Sequence, residues 1–420
     1  MKNKNSNNPL FGLHWNGKQL AYEQAFTNPK YRLTASKPIP EEGGQNLFVE
    51  GDNLEVLKLL LPDFESKVKL IYIDPPYNTG QDFVYSDKFA SKKQKEATDS
   101  AYRHENWLSM IYPRLILATK MLKKDGLIMI SIDESAQAYL QLLCHEVFGE
   151  DNFIGNFIWA NRTTPNDAKL NFATDHEYIL VYAKDSSTIN FKGVKKDLSN
   201  YKNKDKDPKG DWIADNPSAA SGTESYRYPI INPYTKEKYF PPKGRYWAFA
   251  ERRVAEWTKS KKMIFPKQKG KRFLLKKYKK DLKSNLKPMS SIIKDILTAQ
   301  GTRELKAIYE EGSPFKYPKP TALLIKLFEQ ITSGDDIILD FFAGSGSTAH
   351  AVLQLNAKDK GDRQFICVQK AEKTQRNTDA YRQYGFDTIS DLSLDRINRV
   401  LKLYKKELSN TGLRVLRLRK

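Results

Sequence analysis

The sequence predicts an α/β fold built on a mostly parallel, doubly wound sheet. Three observations carry that expectation. Apolar runs of strand length alternate with segments of helical period over residues 46–184, and the pattern returns from Pro318. Asp74-Pro75-Pro76-Tyr77 follows directly on the apolar run LIYI (70–73), and Gly344-Ser345-Gly346 follows IILDFFA (337–343). In a doubly wound sheet, ligand contacts gather beyond the C-terminal ends of the strands, where both of these motifs stand.

Taken in order, residues 1–45 are Asn-, Lys- and Pro-rich and read as an extended arm. Trp15, Tyr22, Phe26 and Tyr31 are costly to leave in water, so the arm is expected to dock. A strand at 46–50, a turn at Gly51-Asp52-Asn53 and a helix through about Leu61 lead into the strand ending at Asp74. Residues 78–102 are polar and lack apolar periodicity, which suits a mobile flap beside the same edge. His104 to Lys124 has helical spacing and Gly126 is placed to stop it. A strand at 127–132, a helix at 134–148, and strands at 153–160 and 177–183 follow, the last two as an antiparallel edge.

From 185 to 312 the alternation breaks down, and Pro, Gly, Lys and aromatic residues accumulate. This stretch is expected to be an inserted module between two parts of the sheet domain, 46–184 and 313–420. A helix at 320–332 precedes the glycine turn. The strand FICVQ (365–369) and a helix from Leu394 to about Lys406 close the pattern.

The 420 residues carry a net charge of +20, which favours a polyanionic partner, nucleic acid above all. The charge is unevenly placed: residues 259–287 hold 13 Lys and Arg against the single acid Asp281, with Phe265, Phe273 and Tyr278 interleaved. That mixture suits phosphates and stacked bases, and Lys271 and Arg272 within it are candidate DNA contacts. The two cysteines, Cys144 and Cys367, suggest no disulfide scaffold. The N-terminal segment lacks the apolar core of a signal peptide, and no apolar stretch approaches the ~20 residues that cross a bilayer. A cytoplasmic, reducing setting with no membrane partner is expected.

The chemistry of the first motif is specific. Two prolines fix φ and donate no N–H, so the loop is stiff and presents carbonyls as acceptors. A carboxylate, a carbonyl and a flat ring delivered to one spot can hold a planar amine, its N–H groups bonded and its face stacked. The second motif lets backbone approach a bound cofactor and offers helix N–H groups; alone it also fits a plain tight turn. Together they resemble the amino-group DNA methyltransferases that use S-adenosylmethionine, in the β-class motif order. The segments NLFVEGDNLEVLKLL (46–60), IYIDPPYNTG (71–80), NWLSMIYPRLILATKML (106–122), DHEYILVYAK (175–184), FKYPKPTALL (315–324) and DFFAGSGSTAHAVLQLN (340–356) extend the resemblance to the modification (Mod) subunits of type III restriction–modification systems and their solitary relatives.

The resemblance implies a circularly permuted, Rossmann-like methyltransferase sheet of seven strands, whose first two strands come last in the chain, with residues 185–312 as a target-recognition insertion. It implies transfer of the sulfonium methyl to N6 of a flipped-out adenine in double-stranded DNA. Asp74 and the Pro75 carbonyl would accept from the amino group, with Pro76 stiffening the loop and Tyr77 stacking on the base. Phe342, Ala343, Gly344, Ser345 and Gly346 would wrap the cofactor, and Lys319-Pro320 would line its methionine pocket. Gln369 and Glu372 are rival ribose contacts, because VQKAE stands where the family usually has VQLPE. Asp52 would either touch the cofactor's adenine end or only cap the following helix. Asn78 would sit at the base rim or form a turn, and His176-Glu177 belongs to the segment lining the base pocket.

Cytosine-N4 is the nearest competing target, since it uses the same amine chemistry. An inactive, sequence-specific DNA-binding protein is the competing class. No metal is expected, because the five histidines are scattered and the cysteines lack zinc spacing. By resemblance the chain would form a homodimer and either pair with a restriction (Res) subunit or act alone.

Overall fold

The computed structural model describes residues 12–35, 46–78, 100–163, 173–310, 312–408 and 412–420. It divides into two compact units, one made of residues 1–192 and 290–420 and the other of residues 193–289. The expected flap falls mostly on residues 79–99, outside the described residues.

The first unit is a ten-stranded mixed sheet flanked by helices. Its strands in chain order are β1 (Arg32–Ala35), β2 (Asn46–Glu50), β3 (Val68–Ile73), β4 (Leu122–Ile132), β5 (Phe153–Ala160), β6 (His176–Ala183), β7 (Ile292–Ile293), β8 (Ile337–Asp340), β9 (Gln364–Gln369) and β10 (Leu413–Arg419). Across the sheet they stand in the order β1-β10-β2-β9-β8-β3-β4-β6-β5-β7. The run β10-β2-β9-β8-β3-β4 is parallel throughout. β6 then runs antiparallel to both β4 and β5, the reversed edge that the sequence suggests.

The permutation is visible in the order: β8 and β9, late in the chain, are inserted between β2 and β3. Three strands beyond the expected seven widen the sheet. β10 pairs β2 in parallel and β1 in antiparallel fashion, and β7 adds a short strand beside β5. β10 is a strand that the sequence reading missed; LRVLRLR mixes apolar and charged residues, but the adjacent Val415 and Leu416 break the period-two alternation that marks a strand.

The parallel strands are buried on both faces because helices cover both. All six residues of β3 are buried, as are Leu127–Ile132 of β4. The longer helices of this unit are α1 (Lys18–Gln24), α2 (Asn53–Phe64), α3 (Ser100–Met121), α4 (Gln137–Phe148), α5 (Thr298–Tyr309), α6 (Thr321–Phe328), α7 (Ser347–Asp359) and α8 (Ile389–Leu403). Trp107, Ile111, Leu115 and Met121 of α3 join Leu57 and Leu60 of α2 in one core with the sheet. α8 starts at a capping box, in which Thr388 and Asp391 exchange side-chain and backbone hydrogen bonds.

The arm is not extended over its described part. Residues 18–24 are helical and 32–35 form β1. Docking follows from the aromatic residues: Trp15 Nε1 donates to Ser109 Oγ at 2.8 Å and its ring meets Tyr112 edge-on at 5.5 Å. No helix among the described residues is long and apolar enough to cross a membrane.

The second unit has its own small core, in which Ile230, Trp247, Phe249, Met263, Phe265, Phe273 and Leu275 pack together. A three-stranded antiparallel sheet (Trp212–Asp215, Leu274–Tyr278, Met263–Ile264) supports it. Phe265, Phe273 and Tyr278, read from the sequence as rings for stacking bases, are buried in this unit, because so small a core needs its aromatic area inside. The charge around them does not follow: Lys271 and Arg272 are exposed, whereas Lys276 is buried between Asp205 and Asp207. β7 and α5, which lie inside the 185–312 stretch, belong to the first unit.

Candidate active site

β3 and β8 are parallel neighbours, with Leu339 opposite Ile71. Asp74 is the first residue after β3 and Phe341 the first after β8, so the Asp-Pro-Pro-Tyr loop and the glycine turn open on the same sheet edge. The start of β6 reaches that edge from the other direction, since Tyr178 stands opposite Ile132 at the end of β4. Three separate segments therefore converge there for topological reasons alone.

At the centre lies a half-buried cluster of Asp74, Tyr77, Glu177 and Lys319. Lys319 Nζ is 3.0 Å from Asp74 Oδ1 and 3.0 Å from Glu177 Oε2. The Tyr77 hydroxyl stands between the same carboxylates, 2.7 Å from Asp74 Oδ1 and 2.9 Å from Glu177 Oε2. Having one proton, it can donate to one of them while accepting from Lys319, which is also within hydrogen-bond reach. The ammonium lies 5.0 Å from the Tyr77 ring centroid and 5.6 Å from that of Trp159, within cation–π range. Asn161 Nδ2 donates to Glu177 Oε1 at 2.8 Å.

The charges follow from burial and pairing. Burial raises the Asp74 carboxyl, and Glu177 adds to the rise while Lys319 opposes it. Burial alone would lower Lys319, but the two carboxylates outweigh it and the amine is held firmly protonated. Burial and the adjacent carboxylates push the Tyr77 phenol far up, so it remains a neutral donor.

The loop is fixed from outside. Trp107 Nε1, on α3, donates to the Pro76 carbonyl at 2.6 Å. Asn78 takes a left-handed φ of 63°, the turn role the sequence left open for it. Its Nδ2 lies 3.2 Å from His104 Nδ1, and its buried Oδ1 has no partner among the described residues. His176 stands apart from the cluster: its Nε2 faces Glu134 at 3.5 Å, while its neighbour Glu177 points to Tyr77. The sequence reading named His176-Glu177 together in that segment, and it is Glu177 that reaches the cluster; an acid near the start of an otherwise apolar strand was the signal that could have singled it out.

The glycine turn is held from both sides. Gly344 (φ 54°) and Gly346 (φ 80°) both need the left-handed region. Ala343 N donates to the Val368 carbonyl at 3.1 Å, and Gly344 N donates to Gln369 Oε1 at 2.8 Å. From α8, Ser393 donates to the Gly344 carbonyl, and the fully buried Arg396 bonds Ser345 Oγ at 2.8 Å and Ser347 Oγ at 2.9 Å. Ser345 is thus turned inward, whereas Phe342 and Gly344 keep partial exposure. Asp340, just before the turn, accepts from Thr348 Oγ1 at 2.6 Å and Phe342 N at 2.9 Å, and burial pushes its carboxyl up to about 7.

Beside the turn, β9 ends at Gln369 next to Glu50 of β2, so Glu372 and Asp52 follow adjacent strands. Burial raises the Glu372 carboxyl, Lys370 lowers it, and the charge of Asp52 adds to the rise. Asp52 itself caps α2, accepting from Leu54 N at 3.0 Å, with Arg114 Nη2 3.5 Å away. Gln369 is engaged by the Gly344 amide, which leaves Glu372 as the less committed acceptor. Pro320 precedes α6, whose first free amide, Thr321 N, already meets a carboxylate: Glu304 Oε2 at 2.9 Å. Lys319 is drawn to Asp74 and Glu177 instead of standing with the turn.

Chemically, the edge offers two halves. One is an acceptor cluster over an aromatic ring, matched to a nitrogen bearing hydrogens. The other is a glycine turn flanked by two acids, matched to hydroxyl donors or to a cation.

Known proteins share this arrangement of sequence. A family model described as DNA methylase matches residues 68–380. The chain is 36% identical to the Mod subunit of the type III restriction-modification enzyme EcoP15I from Escherichia coli, over 93% of this chain and 69% of that one. It is 33% identical to the EcoPI Mod subunit of Escherichia phage P1, over 93% and 68% of the two chains. With the type II methyltransferase M.KpnI of Klebsiella pneumoniae the identity is 34%, over 83% of this chain and 86% of that one. The match runs through both motifs at the shared sheet edge, and on it the chain belongs to the DNA methylase family.

Proposed function

We propose that the protein is a site-specific DNA methyltransferase that moves the methyl group of S-adenosyl-L-methionine to N6 of an adenine in double-stranded DNA. The observation that carries this reading is the meeting of Asp74 and Tyr77 with the Gly344 turn at one edge. The cofactor fits the residues present: the turn leaves Gly344 and Phe342 partly open, and Glu372 and Asp52 suit a ribose diol beside a cationic sulfur. When bound, the cofactor supplies an electrophilic sulfonium methyl.

The protein's residues do the rest. The adenine amino group is a poor nucleophile because its lone pair is delocalised into the ring. Asp74 Oδ1 and the Pro75 carbonyl accept its two N–H groups, which favours a tetrahedral nitrogen with its lone pair aimed at the cofactor side. Tyr77 stacks on the base, and the Trp107–Pro76 bond keeps the loop rigid, so that orientation contributes to the rate. The proton leaves after transfer, with Asp74 as its first acceptor. A base paired and stacked in a duplex cannot lay its face on Tyr77 with its amino group on Asp74, so the adenine is flipped out to enter.

The residue 193–289 unit reads the target sequence, with Lys271 and Arg272 on DNA phosphates, a role supported by the net charge and their exposure. The likeness to Mod subunits supports work within a restriction–modification system, with a Res subunit as partner, in the cytoplasm, and as a homodimer. Methylation-sensitive sequencing of DNA from cells with and without the gene tests the reading. N6-methyladenine at one short site only when the gene is present is the expected result, and N4-methylcytosine would replace it with the cytosine reading.

A further inference from the structure

The Lys319 ammonium already occupies one of the two acceptors assigned above to the base, Asp74 Oδ1. It lies 3.0 Å from Asp74 Oδ1, 3.0 Å from Glu177 Oε2 and 5.0 Å from the Tyr77 ring centroid. A nitrogen bearing hydrogens, beside the carboxylate and over the ring, holds the place an amino group needs. Moving it aside would strand a buried charge if Asp74 were its one partner, and stranded charges are costly. Glu177 removes that cost. It is fixed independently by Asn161, which donates to Oε1, so Lys319 can keep Glu177 while releasing Asp74.

We propose that Lys319 and Glu177 are a positioning pair that holds Asp74 in the empty protein and hands it over to the primary amino group of the entering base. This rests on the adenine-N6 reading of the same site. No bond is made or broken in the exchange: one N–H donor replaces another on Asp74 Oδ1, and the ammonium remains paired with Glu177. The pair also makes entry selective, since a base without an amino group returns nothing to Asp74 once the ammonium has left.

The test compares two duplexes carrying the protein's own site, one with adenine and one with purine, which lacks the 6-amino group, at the target position. Affinities are read by fluorescence anisotropy without cofactor, and the purine-to-adenine ratio of Kd isolates the amino group. In Glu177→Gln, Lys319 clings to Asp74, and the ratio is expected to fall about tenfold, the equivalent of ~1.4 kcal/mol. Adding Lys319→Met to Glu177→Gln is expected to restore most of the wild-type ratio, which a simple loss of structure cannot do. A double variant as low as the single, or a single variant equal to wild type, would overturn the pair. Should Glu177→Gln fail to fold, Lys319→Met alone decides: an undiminished ratio supports the exchange and a fall contradicts it. Methyl transfer by the wild type to cytosine alone, read in a separate assay, would remove the adenine reading beneath it.

Discussion

Asp74 and Lys319 form a half-buried ion pair, Oδ1 to Nζ at 3.0 Å, although one directly follows β3 and the other lies two residues before α6. The pairing ties the two parts of the permuted domain together at the reacting edge. It also makes Asp74 testable apart from folding, because Lys319 keeps Glu177 when Asp74 is removed. Asp74→Ala is expected to bind cofactor as wild type does, to bind DNA about tenfold more weakly at most, and to lose methyl transfer by at least about 10²-fold, the scale of deleting one preorganised polar group. Filter binding and labelled-methyl incorporation measure the two separately, and retained transfer would remove Asp74 from the mechanism.

Asp340 gives a pH dependence with a definite sign. Its folded pKa, about 7, lies above the ordinary carboxyl value of 3.8. The folded state therefore holds a proton that the unfolded chain releases, so the stabilising contribution is complete below about pH 4 and is lost as pH rises through 7, up to roughly 4 kcal/mol. Asp340→Asn is expected to flatten the fall in cofactor-free stability between pH 5 and pH 8, measured by urea denaturation. An unchanged slope would refute this.

The two glycines of the turn separate strain from crowding. An alanine at Gly344 would adopt φ 54° with its Cβ no closer than 3.8 Å to its neighbours, whereas at Gly346 it would also press on the Ser393 carbonyl at 3.2 Å. Each substitution is expected to cost about 1–2 kcal/mol for the left-handed backbone, with Gly346→Ala the worse in thermal midpoint. Calorimetric titration with S-adenosyl-L-methionine is expected to show weakened binding in both. A larger stability loss at Gly344 would contradict the geometry.

In the second unit, Lys276 is buried between Asp205 and Asp207. Burial would raise the Asp207 carboxyl, but the Lys276 bond, the Lys209 amide and the Tyr278 hydroxyl hold it down at about 2. Lys276→Met leaves Asp207 without its counter-charge and is expected to destabilise the unit by about 3–5 kcal/mol. A depressed carboxyl stabilises above pH 4 and loses that effect as pH falls toward 2, so the gap from wild type should narrow in acid. Denaturation followed by tryptophan fluorescence at pH 7 and pH 3 checks both points.

What the sequence made legible was whatever obeys local rules. The apolar run ahead of Asp74, the glycine turn and the alternation around them placed β3, β8 and β9 because buried parallel strands are continuous apolar segments. β10 escaped because it is an outer strand of mixed Leu and Arg beyond the last obvious helix. Aromatic residues among lysines looked like a nucleic-acid surface, but Phe265 and Phe273 were needed as core, and periodicity in so irregular a unit could not say which way they face. The cluster at the site was half legible: Asp74 and Tyr77 stood out, while the roles of Glu177, Asn161 and Lys319 depend on which strands lie side by side, which local pattern does not encode.

The most direct measurement is mass spectrometry of nucleosides from DNA incubated with the protein and S-adenosyl-L-methionine carrying a deuterated methyl group. The account expects the heavy methyl in N6-methyladenine with the wild type and its absence with Asp74→Ala. Heavy N4-methylcytosine, no labelled nucleoside, or undiminished label with Asp74→Ala would contradict it.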